Sequence, residues 1–349
     1  MKQATIGKKE IGKLLHAAAS TYKVYAPVAE ADDVRLVGLE PDMEPTLEYT
    51  NFKRSAKELF FPACELICTY ENETLTEAPL PDEKFVVFGV RPCDALALAL
   101  LDKVFGEFGG SRDPYYMKRR ENGLVIALAC LEPEDTAFCT AAGSGPAGTD
   151  GADILVYDVG KELLFEALSE KGEAFLSDYQ KFLGKPGAAA KKARDRIVEK
   201  AKARAAELDL HGLKQKLERN FDSPLWKEIS EICLGCGLCT YQCPTCHCFD
   251  ITDEVQGRKG RRIRTWDSCQ YALFTHHASG HNPRPSKNER MRQRVLHKFL
   301  YTVENLGETF CVGCGRCVRN CPVNLDLRET LKSLQGLSAQ DKAKDNSGT

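Results

Sequence analysis

The spacing C-x2-C-x2-C-x3-C-P occurs twice in this chain, as Cys233, Cys236, Cys239, Cys243 and Pro244, and again as Cys311, Cys314, Cys317, Cys321 and Pro322. Nothing else restricts the fold as strongly. A cubane of iron and sulfide needs four thiolates converging on its corners. A C-x2-C-x2-C loop supplies three by wrapping its backbone around one face, with amide N–H groups aimed at the sulfurs, and the fourth must come from elsewhere. In two-cluster ferredoxins the cysteine before the proline ligates the other cluster. On that pattern one cluster takes Cys233, Cys236, Cys239 and Cys321, and the other takes Cys311, Cys314, Cys317 and Cys243. Residues 244 to 310 separate the motifs, so crossed ligation ties two distant ends of one domain together and sets two [4Fe-4S] clusters close enough to exchange electrons. Zinc would favour paired C-x2-C knuckles without the third cysteine and the Cys-Pro step.

At 349 residues with 43% hydrophobic content the chain can bury a core in each of two domains. Lys plus Arg number 48 against 50 Asp plus Glu, a balance that argues against a nucleic-acid partner. "MKQATIGKKEIGKLLHAAAS" lacks the apolar centre of a signal peptide. Apolar runs such as Ala95–Leu101 fall far short of the roughly 20 residues that span a bilayer. The expectation is a cytoplasmic protein without a membrane span. In a reducing compartment sixteen cysteines point to metal ligation or redox chemistry rather than disulfides.

Residues 1–180 read as an α/β domain. "FVVFGV" (85–90), "LVIALAC" (124–130) and "ILVYDV" (154–159) are continuous apolar runs of strand length, and "DALALALLDKVFGEF" after the first reads as a helix. Residues 181–227 turn to Ala, Lys, Arg and Glu and read as a helical connector. Residues 228–336 form the dicluster domain, expected to be a mostly helical, ferredoxin-like fold. An amphipathic helix between the motifs carries Val295, Phe299 and Val303 on one face, Leu296 and Leu300 beside them, and Gly307 as its stop. Residues 337–349 read as a disordered tail.

The remaining candidates are less specific. Cys246, Cys248 and Cys269 read as small thiols packing beside a cluster rather than as ligands. His276, His277 and His281 lack an H-E-x-x-H frame and run into Gly and Pro, the pattern of loop histidines. "RKGRRIRTW" (258–266) usually marks a solvated loop, yet its cations could raise the potential of a nearby anionic cluster or dock an acidic partner or RNA, although no aromatic platform or nucleic-acid motif accompanies them. Gly143, Gly145 and Gly148 spell G-x-G-x-x-G, but Pro146 interrupts it and a strand follows where the dinucleotide motif needs a helix. Cys93 falls between a strand and a helix, Cys130 ends the next strand and Cys139 follows in a loop. These three could converge, and Cys64 or Cys68 could complete a third cubane; buried structural thiols are the alternative.

"FGVRPCDALALALLDKVF", "DPYY", "ALACLEPEDTAFCTAAGSGP", "TWDSC", "GHNPR" and the two cysteine motifs together resemble the family of [4Fe-4S] dicluster electron-transfer subunits, which includes sulfhydrogenase beta subunits and a corresponding component of anaerobic sulfite reductase. The likeness covers nearly the whole chain. It implies a member of an anaerobic oxidoreductase complex that takes electrons from a flavoprotein subunit oxidising NAD(P)H and passes them toward a catalytic hydrogenase or reductase subunit. Some relatives have C-F-C where this chain has Ala137, Phe138 and Cys139. A third cluster here would then need Cys64 or Cys68 as a substitute, or has been lost. Two other readings remain at this point: a self-contained flavin or iron-sulfur reductase, and an iron-sulfur sensor using the basic run.

Overall fold

The computed structural model describes residues 2–31, 33–106, 108–203 and 208–337. The expected tail from residue 338 onward lies outside them. Eleven strands occur among the described residues, numbered in chain order. The first three are β1 (Gln3–Gly7), β2 (Lys23–Glu30) and β3 (Asp33–Gly38). A hairpin follows, β4 (Cys64–Glu71) and β5 (Thr74–Glu77). Then come β6 (Phe85–Val90), β7 (Gly123–Leu128), β8 (Ile154–Asp158) and β9 (Glu162–Ala167). The last two are β10 (Phe249–Gln256) and β11 (Lys259–Trp266).

The chain divides into two units that are not successive in sequence. The first comprises Met1–Phe61, Pro79–Ala206 and Val312–Cys314, and the second Pro62–Ala78, Glu207–Cys311 and Gly315–Thr349. This departs from the linear succession 1–180, 181–227, 228–336. The helix-forming stretch after 180 is divided as well: helix Ala188–Ala203 packs on β8 and β9, while Leu213–Arg219 and Leu225–Glu231 belong to the second unit.

The first unit is built on a seven-stranded sheet of order β1-β9-β8-β7-β6-β2-β3. The three apolar runs read from the sequence are its neighbouring strands β6, β7 and β8, parallel to one another. β6 and β7 are buried at every residue, as strands covered on both faces must be. β2 extends the parallel set, and β1, β3 and β9 pair antiparallel at the flanks. Helix Pro92–Gly106 leaves the carboxyl end of β6 and buries Ala95, Leu98 and Leu101. Asp113 caps helix Pro114–Asn122 by accepting from the Tyr116 N–H at 2.8 Å.

The second unit is less helical than its composition suggests. Its helices coexist with a four-stranded antiparallel sheet of order β10-β11-β4-β5. "FDITDEVQ" alternates apolar and polar side chains, and Gly257 turns the hairpin at φ +61°. The basic run is therefore strand β11, not a loop. Cross-strand acids neutralise much of it: Arg261 pairs with Glu254 at 2.5 Å, Arg262 with Asp253 at 2.8 Å, Lys259 with Glu71 at 2.9 Å, and Arg264 with Glu65. Among the described residues no helix is long and apolar enough to cross a membrane.

Candidate functional site

The two cysteine motifs adopt the same local backbone. Gly235 and Gly237 have φ of +68° and +74°, and their counterparts Gly313 and Gly315 have +60° and +76°. Left-handed residues at both positions, open to glycine without strain, coil each loop tightly before a one-turn helix, Leu238–Tyr241 in the first and Arg316–Arg319 in the second. These two helices pack on each other in the second unit. The Asn320 amide joins the motifs by donating to Gln242 Oε1 at 2.7 Å.

Cys233, Cys236, Cys239 and Cys321 line one cavity, with Cys317 also on its wall. The first three follow from one loop; Cys321 arrives from the other motif. Backbone amides point at the sulfurs: the Gly235 N–H donates to Cys233 Sγ at 3.4 Å and the Leu325 N–H to Cys321 Sγ at 3.3 Å. Arg294 closes the wall, only 3% exposed, and its Nε–H has no hydrogen-bond partner among the described residues. Burial raises the Cys239 and Cys317 thiols, with Arg294 pulling against it. A buried guanidinium with an idle donor, facing thiols and amides, fits an anionic iron-sulfur cluster.

The second set gathers around Lys298. Its ammonium donates to Cys243 Sγ at 3.2 Å, to Thr245 Oγ1 at 3.0 Å and to the Phe310 carbonyl at 3.0 Å. Cys243 is held well below the usual thiol range, first by the Cys246 S–H, then against burial by Lys298 and Thr245. Burial pushes Lys298 down, but Cys243, Cys246 and Cys311 outweigh it and the ammonium is raised. Cys314 falls in the stretch Val312–Cys314 that counts with the first unit. Among the described residues no three His, Cys, Asp or Glu side chains are close enough to hold one metal ion; the ligands of a cubane's separate corners stand wider than those of a single zinc.

The 4Fe-4S dicluster domain family matches residues 232–325. Sulfhydrogenase 2 subunit beta from Pyrococcus furiosus is 33% identical over 306 residues, which is 87% of this chain and 90% of that protein. The chain belongs to the 4Fe-4S electron-transfer beta-subunit family. Its cofactors are two [4Fe-4S] clusters, and it is an electron-transfer subunit of oxidoreductase type.

The protein has a second group of thiols in its first unit. Cys93, Cys130, Cys139 and Cys314 line one cavity with Asn51 and Glu134. It lies beyond the carboxyl ends of the parallel strands β6 and β7, the position where α/β sheets bind ligands. Arg91 fixes the place by donating to the Thr50 carbonyl at 2.7 Å and the Ala129 carbonyl at 3.2 Å. The Asn51 amide reaches Cys93 Sγ at 3.7 Å. Gly313 lets the chain pass, since a Cβ there would come within 2.5 Å of the backbone of Phe138 and Cys139. Cys64 does not line this cavity: it opens β4, exposed and in register with Thr265. Cys68 is buried within the same strand, opposite Glu77 and Arg262.

Several residues outside the motifs find plain places. Cys246 donates to Cys243, and Cys248 and Cys269 share a hydrogen bond. His277 and His281 close a turn through an N–H to carbonyl bond of 2.8 Å. The G-x-G-x-x-G match is a loop preceding β8. Arg294 and Lys298 are invisible to hydrophobic periodicity, which assigns charged helix positions to solvent; their signal is an i, i+4 cation pair on a helix strung between two thiol motifs.

His297 supplies a pH prediction. Burial first, then His247 and Lys298, push it down to about 3. The folded protein therefore refuses a proton that the unfolded chain binds below about pH 6.5. The stabilising difference is complete above that pH and declines as pH falls toward the folded value, by about 1.4 kcal/mol per unit. Anaerobic urea unfolding at about pH 7.5 and about pH 5.5 should show this loss, and His297→Gln should flatten it. An equal loss in both proteins would assign the pH dependence to other groups.

Proposed function

We propose that this protein conducts electrons within a cytoplasmic hydrogenase- or sulfur-reductase-type complex, between a flavoprotein subunit that oxidises NAD(P)H and a separate catalytic subunit. It performs no substrate chemistry of its own. The observation that carries this reading is Cys321 lining the cavity of Cys233, Cys236 and Cys239. It favours the crossed assignment, with Cys233, Cys236, Cys239 and Cys321 holding one cluster and Cys311, Cys314, Cys317 and Cys243 the other. Lys298 bridging Cys243 Sγ and the carbonyl before Cys311 favours the second set.

Two crossed clusters form a path for single electrons, and direction is left to the partners, because Cys-ligated clusters span roughly −700 to +450 mV. The relative in Pyrococcus furiosus is by its name one subunit of a sulfhydrogenase; the reading carries that context to this chain. A third iron-sulfur centre would take Cys93, Cys130 and Cys139 from the cavity at the ends of β6 and β7; Cys64 does not line that cavity, and the other thiol there, Cys314, is assigned to the second cluster.

The test is purification of the tagged chain from its native host without oxygen, mass spectrometry of whatever accompanies it, and iron and sulfide per chain. The expected companions are a flavoprotein and a protein containing nickel or siroheme, with iron for three clusters. Iron for only two would remove the third centre. A chain that arrives alone, holds flavin and reduces an acceptor with NAD(P)H would overturn the conductor reading.

A further inference from the structure

Helix Lys287–Leu296 starts at a capping box of Ser286 and Glu289 and runs on through a π-helical turn, His297–Tyr301, into Thr302–Leu306. π turns interrupt the regular hydrogen-bond ladder and frequently occur at functional sites. Lys298 lies in this one and is 3% exposed. An ammonium has three protons, and all three have acceptors: Cys243 Sγ at 3.2 Å, Thr245 Oγ1 at 3.0 Å and the Phe310 carbonyl at 3.0 Å. Its own carbonyl is held as well, by the Phe310 N–H at 2.9 Å and the Thr302 hydroxyl at 3.1 Å. None of the three acceptors is a carboxylate. A buried lysine costs several kcal/mol unless an anion faces it; the sulfur facing this one is that of Cys243, which is a thiolate when it ligates a cluster.

We propose that Lys298 sets the reduction potential of the cluster ligated by Cys243, holding it higher than the protein scaffold alone would. The inference rests on the crossed ligand reading, in which Cys243 is a cluster ligand. One-electron reduction, with the electron supplied by the flavoprotein partner or by dithionite in the test, makes the cluster and its thiolates more negative. A positive N–H donor on one of those sulfurs therefore stabilises the reduced form more than the oxidised form. Exclusion of water strengthens the effect. The geometry also makes Lys298 a rigid contact, because backbone and side chain both clasp Phe310, the residue before Cys311.

The test is an EPR-monitored redox titration of the full chain, purified without oxygen, as native protein and as Lys298→Met, Lys298→Gln and Lys298→Arg. At the potential where that cluster is half reduced in the native protein, Lys298→Met should be about tenfold less reduced, as expected for loss of a charged hydrogen bond. Lys298→Gln, which keeps a donor without the charge, should move the same way by less. Lys298→Arg should lie near native, and the other cluster should not move. Unchanged midpoints in the Met and Gln variants with iron retained, or an equal shift of both clusters, would overturn the proposal. If the Met variant loses its cluster, the Gln variant decides alone. Cys243→Ser separates the underlying reading: native spectra and iron in that variant would sink the ligand assignment, whatever Lys298 does.

Discussion

Under the crossed assignment proposed above, Cys321→Ser should remove or rebuild the cluster assigned to Cys233, Cys236 and Cys239, and leave the cluster of its own motif in place. Serine keeps the size of the side chain but replaces a soft thiolate with a hard, weakly acidic hydroxyl, so about half of the dicluster iron should be lost or converted. The cavity that Cys321 shares with those three thiols is the reason. EPR of two reference variants makes the outcome unambiguous: the spectrum of Cys321→Ser should match Cys236→Ser and differ from Cys314→Ser. A match to Cys314→Ser would mean that each motif closes on its own cluster and that the crossed assignment is wrong.

Glu65→Ala should cost about 3–5 kcal/mol of stability, the usual penalty for stripping the partner from a buried charge. Glu65 on β4 and Arg264 on β11 are 6% and 5% exposed and pair directly across the two strands. The guanidinium also lies 5.4 Å over the Phe249 ring, which further closes it off from water. Removing the carboxylate leaves Arg264 buried without its counter-charge. Anaerobic urea unfolding reads the loss, and the double variant Glu65→Leu with Arg264→Met should recover most of it, since apolar pairs replace buried ion pairs at little cost. A single-variant loss below about 1 kcal/mol would mean that the pair behaves as a surface bridge.

What the sequence discloses, it discloses through periodicity and spacing. β6, β7 and β8 are legible because strands covered on both faces are apolar without interruption. The two motifs are legible because iron demands a fixed thiol spacing. β11 reads as a solvated loop because its crowded cations mask an alternating pattern; only pairing with Asp253, Glu254, Glu65 and Glu71 makes that strand tolerable. Cys64 and Cys139 are both candidate ligands in sequence, yet topology places one on an exposed strand and the other in a cavity wall. Arg294 and Lys298 carry the same lesson for the site. Which charges on an amphipathic helix turn inward depends on what anion waits there, and local composition does not encode that.

The interleaving of the two units bears on how the chain is made. The first unit includes Val312–Cys314, so it remains unfinished until that late stretch has left the ribosome. The hairpin Pro62–Ala78, synthesised long before, belongs to the second unit and waits for β11 before its sheet can form. Neither unit is completed by one contiguous stretch, and contacts of such long sequence separation close slowly. During that interval strand edges and thiols destined for metal stand open together. Both units are thus completed late and together, rather than one finished domain after another.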